Sequence, residues 1–247
     1  LEVTVDGLGS FLNHEIDPKE FYSYMRNKHT AKTSAANMDR FAALFEEIVS
    51  EGKDVLYIGF SSGLSTTFNS GRIALNDLKV SKPAMSYNYQ INVPDDSIKV
   101  TKKGMEDAEE ICEKIQKYNK NTGLVFMLKS LKNFAANGRV PMAVAKLAGV
   151  LGIRIVGKAS DQGTLQPMDK SRGEAKALKK LLEYLKNDGL SRGKVRIAHC
   201  TNQTGAENLM AMIREEFPEV DVSVSQCLGL CSYYAEKGGL LVGFEKF

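Results

Sequence analysis

The chain has 247 residues, of which 43% are hydrophobic and 26% are charged, as in globular proteins with one large or two modest domains. Its net charge of +3 is small and dispersed, which argues against a nucleic-acid partner. No apolar run approaches the roughly 20 residues needed to span a bilayer, so we expect no integral membrane contact.

Cysteine and histidine usage indicates a reducing compartment without a metal centre. The four cysteines, Cys112, Cys200, Cys227 and Cys231, are too few and too scattered for a disulfide framework. The Cys227-x₃-Cys231 spacing lacks the two-residue separation usual for zinc knuckles, and the histidines are dispersed. We therefore expect reduced thiols, a cytoplasmic location, and no metal or other cofactor.

The first half of the chain alternates helical and strand patterns. Residues 37–51 carry apolar side chains at helical spacing, with Asn37 as a capping residue and Gly52 as a stop signal. The short apolar run at 55–60 predicts a buried strand, and a helix through Ala74 follows it. This alternation predicts parallel pairing within a three-layer α/β/α domain.

After residue 122 the pattern becomes that of an α+β domain with a mixed sheet. Polar residues alternate with valines from Val220 to Val224, which predicts a strand with one solvent-exposed face. A turn at 161–163 predicts a hairpin. The other predicted strands cover residues 124–128, 153–157, 195–199 and 239–244, and the predicted helices cover 140–151, 175–185 and 207–217. The sequence therefore predicts two domains, residues 1–122 and 123–247.

A cluster of hydroxyl groups directly follows the predicted strand at 55–60. Gly59-Phe60-Ser61-Ser62-Gly63 fits the pattern of a hydrolase nucleophile elbow, and Asp161 or Asp188 followed by His199 gives the chain order of a catalytic triad. Fewer than sixty residues precede the motif, however, and none of them form a glycine-rich oxyanion loop. His199 also lies in a strand pattern of the other predicted domain. A serine hydrolase is therefore the alternative interpretation.

The same hydroxyl groups can instead donate hydrogen bonds to an anion. A helix N-terminus favours negative charge because of its dipole and its unpaired amide groups. A second hydroxyl pair, Thr33 and Ser34, precedes the predicted helix at 37–51. Two such junctions from adjacent βα units would face one crevice, which predicts a carboxylate-binding site.

These paired hydroxyl motifs resemble the signatures of the DegV family of fatty-acid-binding proteins. The two signatures are Thr33-Ser34 and Ser61-Ser62-Gly63-Leu64-Ser65. The resemblance continues in order along nearly the whole chain, through Val5-Asp6-Gly7, Ile16-Asp17-Pro18, Phe21-Tyr22, Asn137-Gly138-Arg139-Val140, Lys170-Ser171-Arg172-Gly173 and the run from Gly238 to Phe244.

The resemblance implies a bacterial lipid carrier that is not an enzyme. Its two domains, an α/β domain followed by an α+β domain, would enclose one long-chain fatty acid and bury the tail in a tunnel. The carboxylate would be held by residues of the two signatures, namely Thr33, Ser34, Ser61, Ser62 and Gly63. Such carriers present the bound acid to a separate fatty acid kinase, which makes an acyl phosphate.

Two more residues are expected near the head group. Arg172 matches the family's basic residue, which would lie near the exposed carboxylate or on the kinase-docking face. Tyr234 stands where many members have a histidine close to the carboxylate, and its hydroxyl can donate a hydrogen bond but carries no charge at neutral pH. The family's usual first strand would precede Leu1, so we expect a further segment before it.

Overall fold

The chain divides into two compact units. The computed structural model describes residues 2–12, 15–26, 31–52, 55–59, 61–81, 97–100, 105–142, 145 and 152–247. The large unit consists of Leu1–Ser34, Asn121–Ser160 and Leu165–Phe247, and the small unit consists of Ala35–Lys120 and Asp161–Thr164.

Strands and helices alternate through much of the described part of the chain. In chain order the elements are β1 (Glu2–Val5), β2 (Gly9–Leu12), α1 (Pro18–Arg26), β3 (Ala31–Ser34), α2 (Met38–Ser50), β4 (Val55–Ile58), α3 (Thr67–Ser81), β5 (Ser97–Val100), α4 (Met105–Lys120), β6 (Thr122–Leu128), α5 (Lys132–Ala136), β7 (Ile153–Ala159), β8 (Leu165–Arg172), α6 (Glu174–Asn187), β9 (Gly193–His199), α7 (Gln203–Glu216), β10 (Val220–Gln226), α8 (Gly229–Ala235) and β11 (Leu240–Glu245).

A six-stranded mixed sheet, ordered β10-β9-β11-β6-β7-β8, forms the centre of the large unit. Strands β9 and β10 are parallel, and the other neighbouring pairs are antiparallel. Leu178, Leu181 and Leu185 of α6 recur every three or four residues and are buried in the main core of this unit. Their spacing explains why α6 forms a helix with one apolar face.

The second part of strand β6, Val125–Leu128, is apolar because both of its faces are buried. Val125 and Met127 belong to the core that contains α6 and α7, whereas Phe126 and Leu128 belong to a second apolar cluster. Such continuous burial is typical of a central strand covered on both sides. The second cluster, which we call the apolar cluster, also includes Phe134 and residues of β7, β9 and α8.

A three-stranded antiparallel sheet, ordered β2-β1-β3, belongs to the same unit. Val3 and Val5 on β1 point to one side and are buried with Phe21 of α1 and Tyr233 of α8. Residues 1–34 are therefore part of the large unit. This differs from the division at residue 122 drawn from the sequence, because β1 buries its apolar side against partners that lie some two hundred residues later.

The small unit is built around helices α2 and α3. The Asn37 side chain accepts a hydrogen bond from the Asp39 amide at 2.9 Å, and Gly52 adopts a left-handed conformation (φ +78°) just after the helix. Phe41 and Phe45 of α2 are buried together with Leu75 of α3. Both predicted end signals of this helix are thus confirmed.

The predicted α/β class and the mixed sheet are confirmed, and so is the hairpin of β7 and β8. The parallel sheet predicted for the first domain is not found among the described pairings, since β4 pairs antiparallel with β5 and β3 antiparallel with β1. Strand–helix alternation indicates parallel pairing only where neighbouring strands belong to one sheet, and β3 and β4 do not. Phe60, the Cys112 side chain and most of the predicted helix at 140–151 lie outside the described residues.

None of the helices in the described residues is long and apolar enough to cross a bilayer. The thiols of Cys200, Cys227 and Cys231 are free.

Replacing Leu181 with alanine should destabilise the large unit by about 2–5 kcal/mol, because this side chain is fully buried between α6 and the sheet. Leu228→Ala is the matched control, since Leu228 is 51% exposed and should cost about 0.5 kcal/mol or less. Urea denaturation followed by circular dichroism measures both values. Equal losses in the two variants would contradict the proposed packing of α6.

Candidate functional site

Thr33 and Tyr234 meet in the large unit although 201 residues separate them in sequence. Thr33 lies on β3, which pairs with β1 so that Thr33 faces Val3 in register. The Thr33 Oγ1 and Tyr234 Oη atoms are 2.7 Å apart, the ordinary length of a hydrogen bond between two hydroxyls, and both hydroxyls are part-buried. The structure thus brings together two of the residues that the sequence predicted for the head-group site.

Tyr234 is held in place by ring contacts on several sides. Its ring lies 4.8 Å from that of Phe134 and 5.0 Å from that of Tyr233, measured between centroids. The guanidinium carbon of Arg139 lies 5.5 Å from the Tyr234 ring centre, within the range of a cation–π interaction. These contacts leave the Tyr234 hydroxyl directed at Thr33 and bring a permanent positive charge close to it.

Arg139 is positioned by the end of helix α5. Gly138 has φ +72°, its amide donates to the Ala135 carbonyl at 3.0 Å, and the Arg139 amide donates to the Phe134 carbonyl at 2.8 Å. This pair of hydrogen bonds is the Schellman motif, which requires a left-handed residue and so favours glycine. The sequence element Asn137-Gly138-Arg139 was recognised from the family resemblance, but Arg139 was not included among the predicted site residues.

Tyr233 ties α8 to β3 and α5. Its hydroxyl donates to the Ala31 carbonyl at 2.8 Å and accepts from Asn137 Nδ2 at 2.9 Å. Its carbonyl accepts from Asn133 Nδ2 at 2.7 Å. Burial raises the pKa of Tyr233, which therefore stays a neutral donor. Because Tyr233 precedes Tyr234 on the same helical turn, these hydrogen bonds also fix the direction of Tyr234.

The second signature forms a tight turn in the small unit, between β4 and α3. The amides of Leu64 and Ser65 donate to the Ser61 carbonyl at 2.9 and 3.1 Å, and the Gly63 amide donates to Ser61 Oγ at 3.2 Å. Ser61 is half-buried, whereas Ser62 and Gly63 are exposed. Ser61, Ser62 and Gly63 therefore lie together, at the junction before a helix where the sequence predicted them.

The tip of the β7–β8 hairpin packs on this turn within the small unit. A Cβ atom built on Gly163 (φ +69°) would overlap Ser61 Oγ, and one built on Gly63 would lie 2.8 Å from the Gln162 carbonyl. Both glycines are therefore required by close approach, and Gly163 also by its left-handed backbone. The Asp161-Gln162-Gly163 turn was predicted as a hairpin signal, but its contact with Ser61 had no local signature.

The remaining predicted residues occupy less enclosed positions. Ser34 ends β3 and is exposed, and Arg172 ends β8, where it is exposed and paired in register with Ile153. The next residue, Gly173, has φ +83° and donates its amide to the Gly152 carbonyl. None of the described hydrogen bonds or ion pairs joins Arg172 to Thr33 or Tyr234.

The contacts of the triad candidates do not favour the hydrolase alternative. The hydrogen bonds described for Ser61 involve only backbone amides. His199 is 5% exposed, and its Nδ1 atom accepts a hydrogen bond from the Asn202 amide at 3.3 Å. Asp188 pairs with Lys158 at 3.2 Å. None of the hydrogen bonds or ion pairs described for Ser61 joins it to a histidine or a carboxylate.

The fold and the two signatures define a two-unit α/β protein with a hydroxyl group at each of two loop junctions. Residues 1–246 match the model of the DegV family of uncharacterised proteins, and the chain belongs to this family. A DegV domain-containing protein of Streptococcus pyogenes serotype M1 is 35% identical over 205 residues, which cover 78% of this chain and 71% of that protein.

Two solved structures are similar over the whole of this chain. One is a DegV family protein from Eubacterium eligens loaded with heptadecanoic acid, with a TM-score of 0.80, 29% identity and 92% of its chain covered. The other is the Streptococcus pneumoniae fatty acid kinase (Fak) B3 protein loaded with linoleic acid, with a TM-score of 0.80, 27% identity and 90% of its chain covered.

Replacing Gly163 with alanine should destabilise the small unit by about 1–3 kcal/mol more than Gly52→Ala does. Both glycines have a left-handed backbone, but a Cβ on Gly52 meets no atom within 4 Å, whereas one on Gly163 strikes Ser61. Denaturant unfolding followed by tyrosine fluorescence measures the difference.

The double variant Ser61→Ala/Gly163→Ala should recover part of this loss, because the overlapping Oγ atom is gone. Equal destabilisation by Gly163→Ala and Gly52→Ala would show that the hairpin tip does not press on Ser61.

Proposed function

We propose that this protein binds one long-chain fatty acid and presents its carboxylate to a partner fatty acid kinase, without catalysing a reaction itself. The hydroxyl pair of Thr33 and Tyr234, with the Arg139 guanidinium over the tyrosine ring, is the observation that carries the proposal. Two hydroxyls 2.7 Å apart can each donate to one carboxylate once they release each other. Ser61 or Ser62 would supply the second set of donors, together with the Gly63 amide once it exchanges Ser61 Oγ for the carboxylate.

In this proposal the acyl tail would insert among the residues of the apolar cluster. Tyr234 packs against this cluster, which contains Phe126, Leu128, Phe134 and Ile155. A sixteen-carbon acid gains on the order of 11 kcal/mol from burying its tail, at about 0.8 kcal/mol per methylene and before ordering costs. The tail would therefore supply most of the affinity, and the hydroxyl groups would decide which end of the ligand faces outward.

Neutral donors suit a carrier whose ligand must react while bound. A direct buried salt bridge would stabilise the carboxylate and lower its nucleophilicity toward a phosphoryl donor. The Arg139 charge instead interacts with the face of the Tyr234 ring, and the Tyr234 hydroxyl would contact the carboxylate. Arg172, exposed at the end of β8, would contribute a positive charge near the carboxylate or to the surface that meets the kinase.

The related structures support the ligand class and the partner. Both contain a long-chain fatty acid, and the pneumococcal one is a fatty acid kinase B protein. A kinase that consumes ATP would act in the cytoplasm, where we propose that this protein works. The free thiols of Cys200, Cys227 and Cys231 are compatible with that compartment.

Protein purified from a bacterial host should carry one fatty acid, because the proposed tail burial resists loss in aqueous buffer. Native mass spectrometry after gentle desalting should show the chain mass plus one acid, and delipidated protein should regain one equivalent of palmitate or oleate. A protein that is empty on purification and ignores both added acids would contradict the proposal.

The variants Thr33→Val and Tyr234→Phe should each weaken palmitate binding by about three- to tenfold, the value of one hydrogen bond of about 1 kcal/mol. The double variant should lose less binding free energy for palmitate than the two single variants lose together, because the two hydroxyls contact each other. Displacement of a fluorescent fatty acid measures all three.

Methyl palmitate, which lacks the charged head group, should bind the parent and both variants about equally. Thr4→Val is the matched control, since it removes a hydroxyl that pairs with Ser10 at 2.8 Å on an exposed strand face. If acid and ester lose affinity to the same extent, the head-group assignment of Thr33 and Tyr234 is wrong.

A further inference from the structure

A cavity of about 520 Å³ lies at the carboxyl edge of the central sheet in the large unit. Strands β6 and β9 are both antiparallel to β11, so their carboxyl ends lie at the same edge. Leu240 at the start of β11 pairs with both Met127 and His199. Lys129 and Thr201, which follow those two strand ends, line the cavity. Such edges of α/β sheets commonly bind ligands.

The charged groups in the cavity wall favour an anion. Lys19, Lys129 and Lys237 line it together with Glu236, which leaves an excess of two positive charges. Burial lowers the pKa of Lys129, and the positive charges of Arg154 and Lys237 lower it further, although the Glu174 carboxylate partly offsets them. An anion bound among these groups would relieve their repulsion, and lysine ammonium groups are common ligands of phosphate.

Two buried oxygen atoms of the cavity residues have no hydrogen-bond partner. They are Thr201 Oγ1 and Glu236 Oε1. Both residues have a left-handed backbone, with φ +44° for Thr201 and +54° for Glu236, which is unfavourable for a β-branched residue in particular. Both atoms are shielded from solvent, so each side chain must rotate toward the cavity before a ligand hydroxyl group can donate to Glu236 Oε1 or pair with Thr201 Oγ1.

Aromatic side chains supply an apolar part of the wall. The rings of Phe21 and Tyr22 lie 6.2 Å apart, and those of Phe21 and Tyr233 lie 6.0 Å apart. The Tyr22 hydroxyl donates to the Ser232 carbonyl at 3.0 Å, so this ring is fixed. Phe21 and Tyr233 are almost fully buried, so the carbon skeleton of a ligand would pack against Tyr22, which is half-buried, while its polar groups reach the lysines.

From these contacts we infer that the cavity binds a small phosphomonoester whose carbon skeleton carries hydroxyl groups, as in a sugar phosphate. The phosphate dianion matches the excess of two positive charges, and the hydroxyl groups match Thr201 and Glu236. None of Thr33, Ser34, Arg139 and Tyr234 lines the cavity, so the inference does not depend on fatty acid binding.

Isothermal titration of the full chain with ribose 5-phosphate tests the inference. The parent should bind one equivalent, and more tightly than it binds inorganic phosphate or ribose. Lys129→Gln and Lys237→Gln should each raise the Kd for ribose 5-phosphate about tenfold, because each removes a charge-assisted hydrogen bond. Lys179→Gln is the matched control, since it removes the same charge from an exposed position on α6 and should leave the Kd unchanged.

Two variants of Thr201 test the role of the ligand's hydroxyl groups. Thr201→Val should reduce the preference for ribose 5-phosphate over inorganic phosphate, whereas Thr201→Ser should retain it. No binding of ribose 5-phosphate at about 10 mM would overturn the inference. An equal loss of affinity in Lys179→Gln and in the two cavity lysine variants would also overturn it. Equal affinity for inorganic phosphate and ribose 5-phosphate would overturn the hydroxylated ligand class.

Discussion

Two adjacent tyrosines on α8 organise the candidate head-group site. Tyr233 turns inward, where its hydroxyl and carbonyl are hydrogen-bonded to β3 and α5. Tyr234 turns toward Thr33 and carries the Arg139 guanidinium on its ring. Without the first tyrosine, the second would lose its fixed direction, and β3 would lose a tie to the rest of the large unit. The short helix thus connects the N-terminal sheet and α5 through four hydrogen bonds, and the proposed ligand would contact it at Tyr234.

The central sheet gives the large unit three different surfaces. One face packs on α6 and α7 through Leu181, Leu209 and their neighbours and serves stability. The other face contributes to the apolar cluster, which includes Phe126 and Phe134 and in our proposal receives the hydrocarbon tail. The carboxyl edge is polar and lysine-rich. This separation follows from the alternation of side chains along each strand, which sends successive residues to opposite faces.

The second signature depends on glycine rather than on its hydroxyl groups alone. Ser61, Ser62 and Gly63 form a turn whose amides are already partly used within the loop. The hairpin tip at Gly163 approaches Ser61 so closely that a residue larger than glycine at position 163 would push the hairpin tip away from Ser61. A nucleophile elbow and a carboxylate-binding turn share the G-x-S-x-G pattern, because both need a tight strand-to-helix turn. In the described residues, the hydrogen-bond partners of Ser61 are backbone amides.

Local sequence patterns determined the features that depend on near neighbours. The ends of α2 at Asn37 and Gly52, the β7–β8 hairpin and the apolar stripe of α6 follow from spacing and from turn residues, and the ordered motifs indicated the DegV family. Only the tertiary structure decided that β1 to β3 pack with α8, that Arg139 lies over Tyr234, and that the hydroxyls of Thr33 and Tyr234, both expected near the head group, bond directly to each other. A hydrogen bond across such a separation leaves no periodicity in the chain, because it arises from how whole elements pack and not from the conformational preferences of the residues that form it.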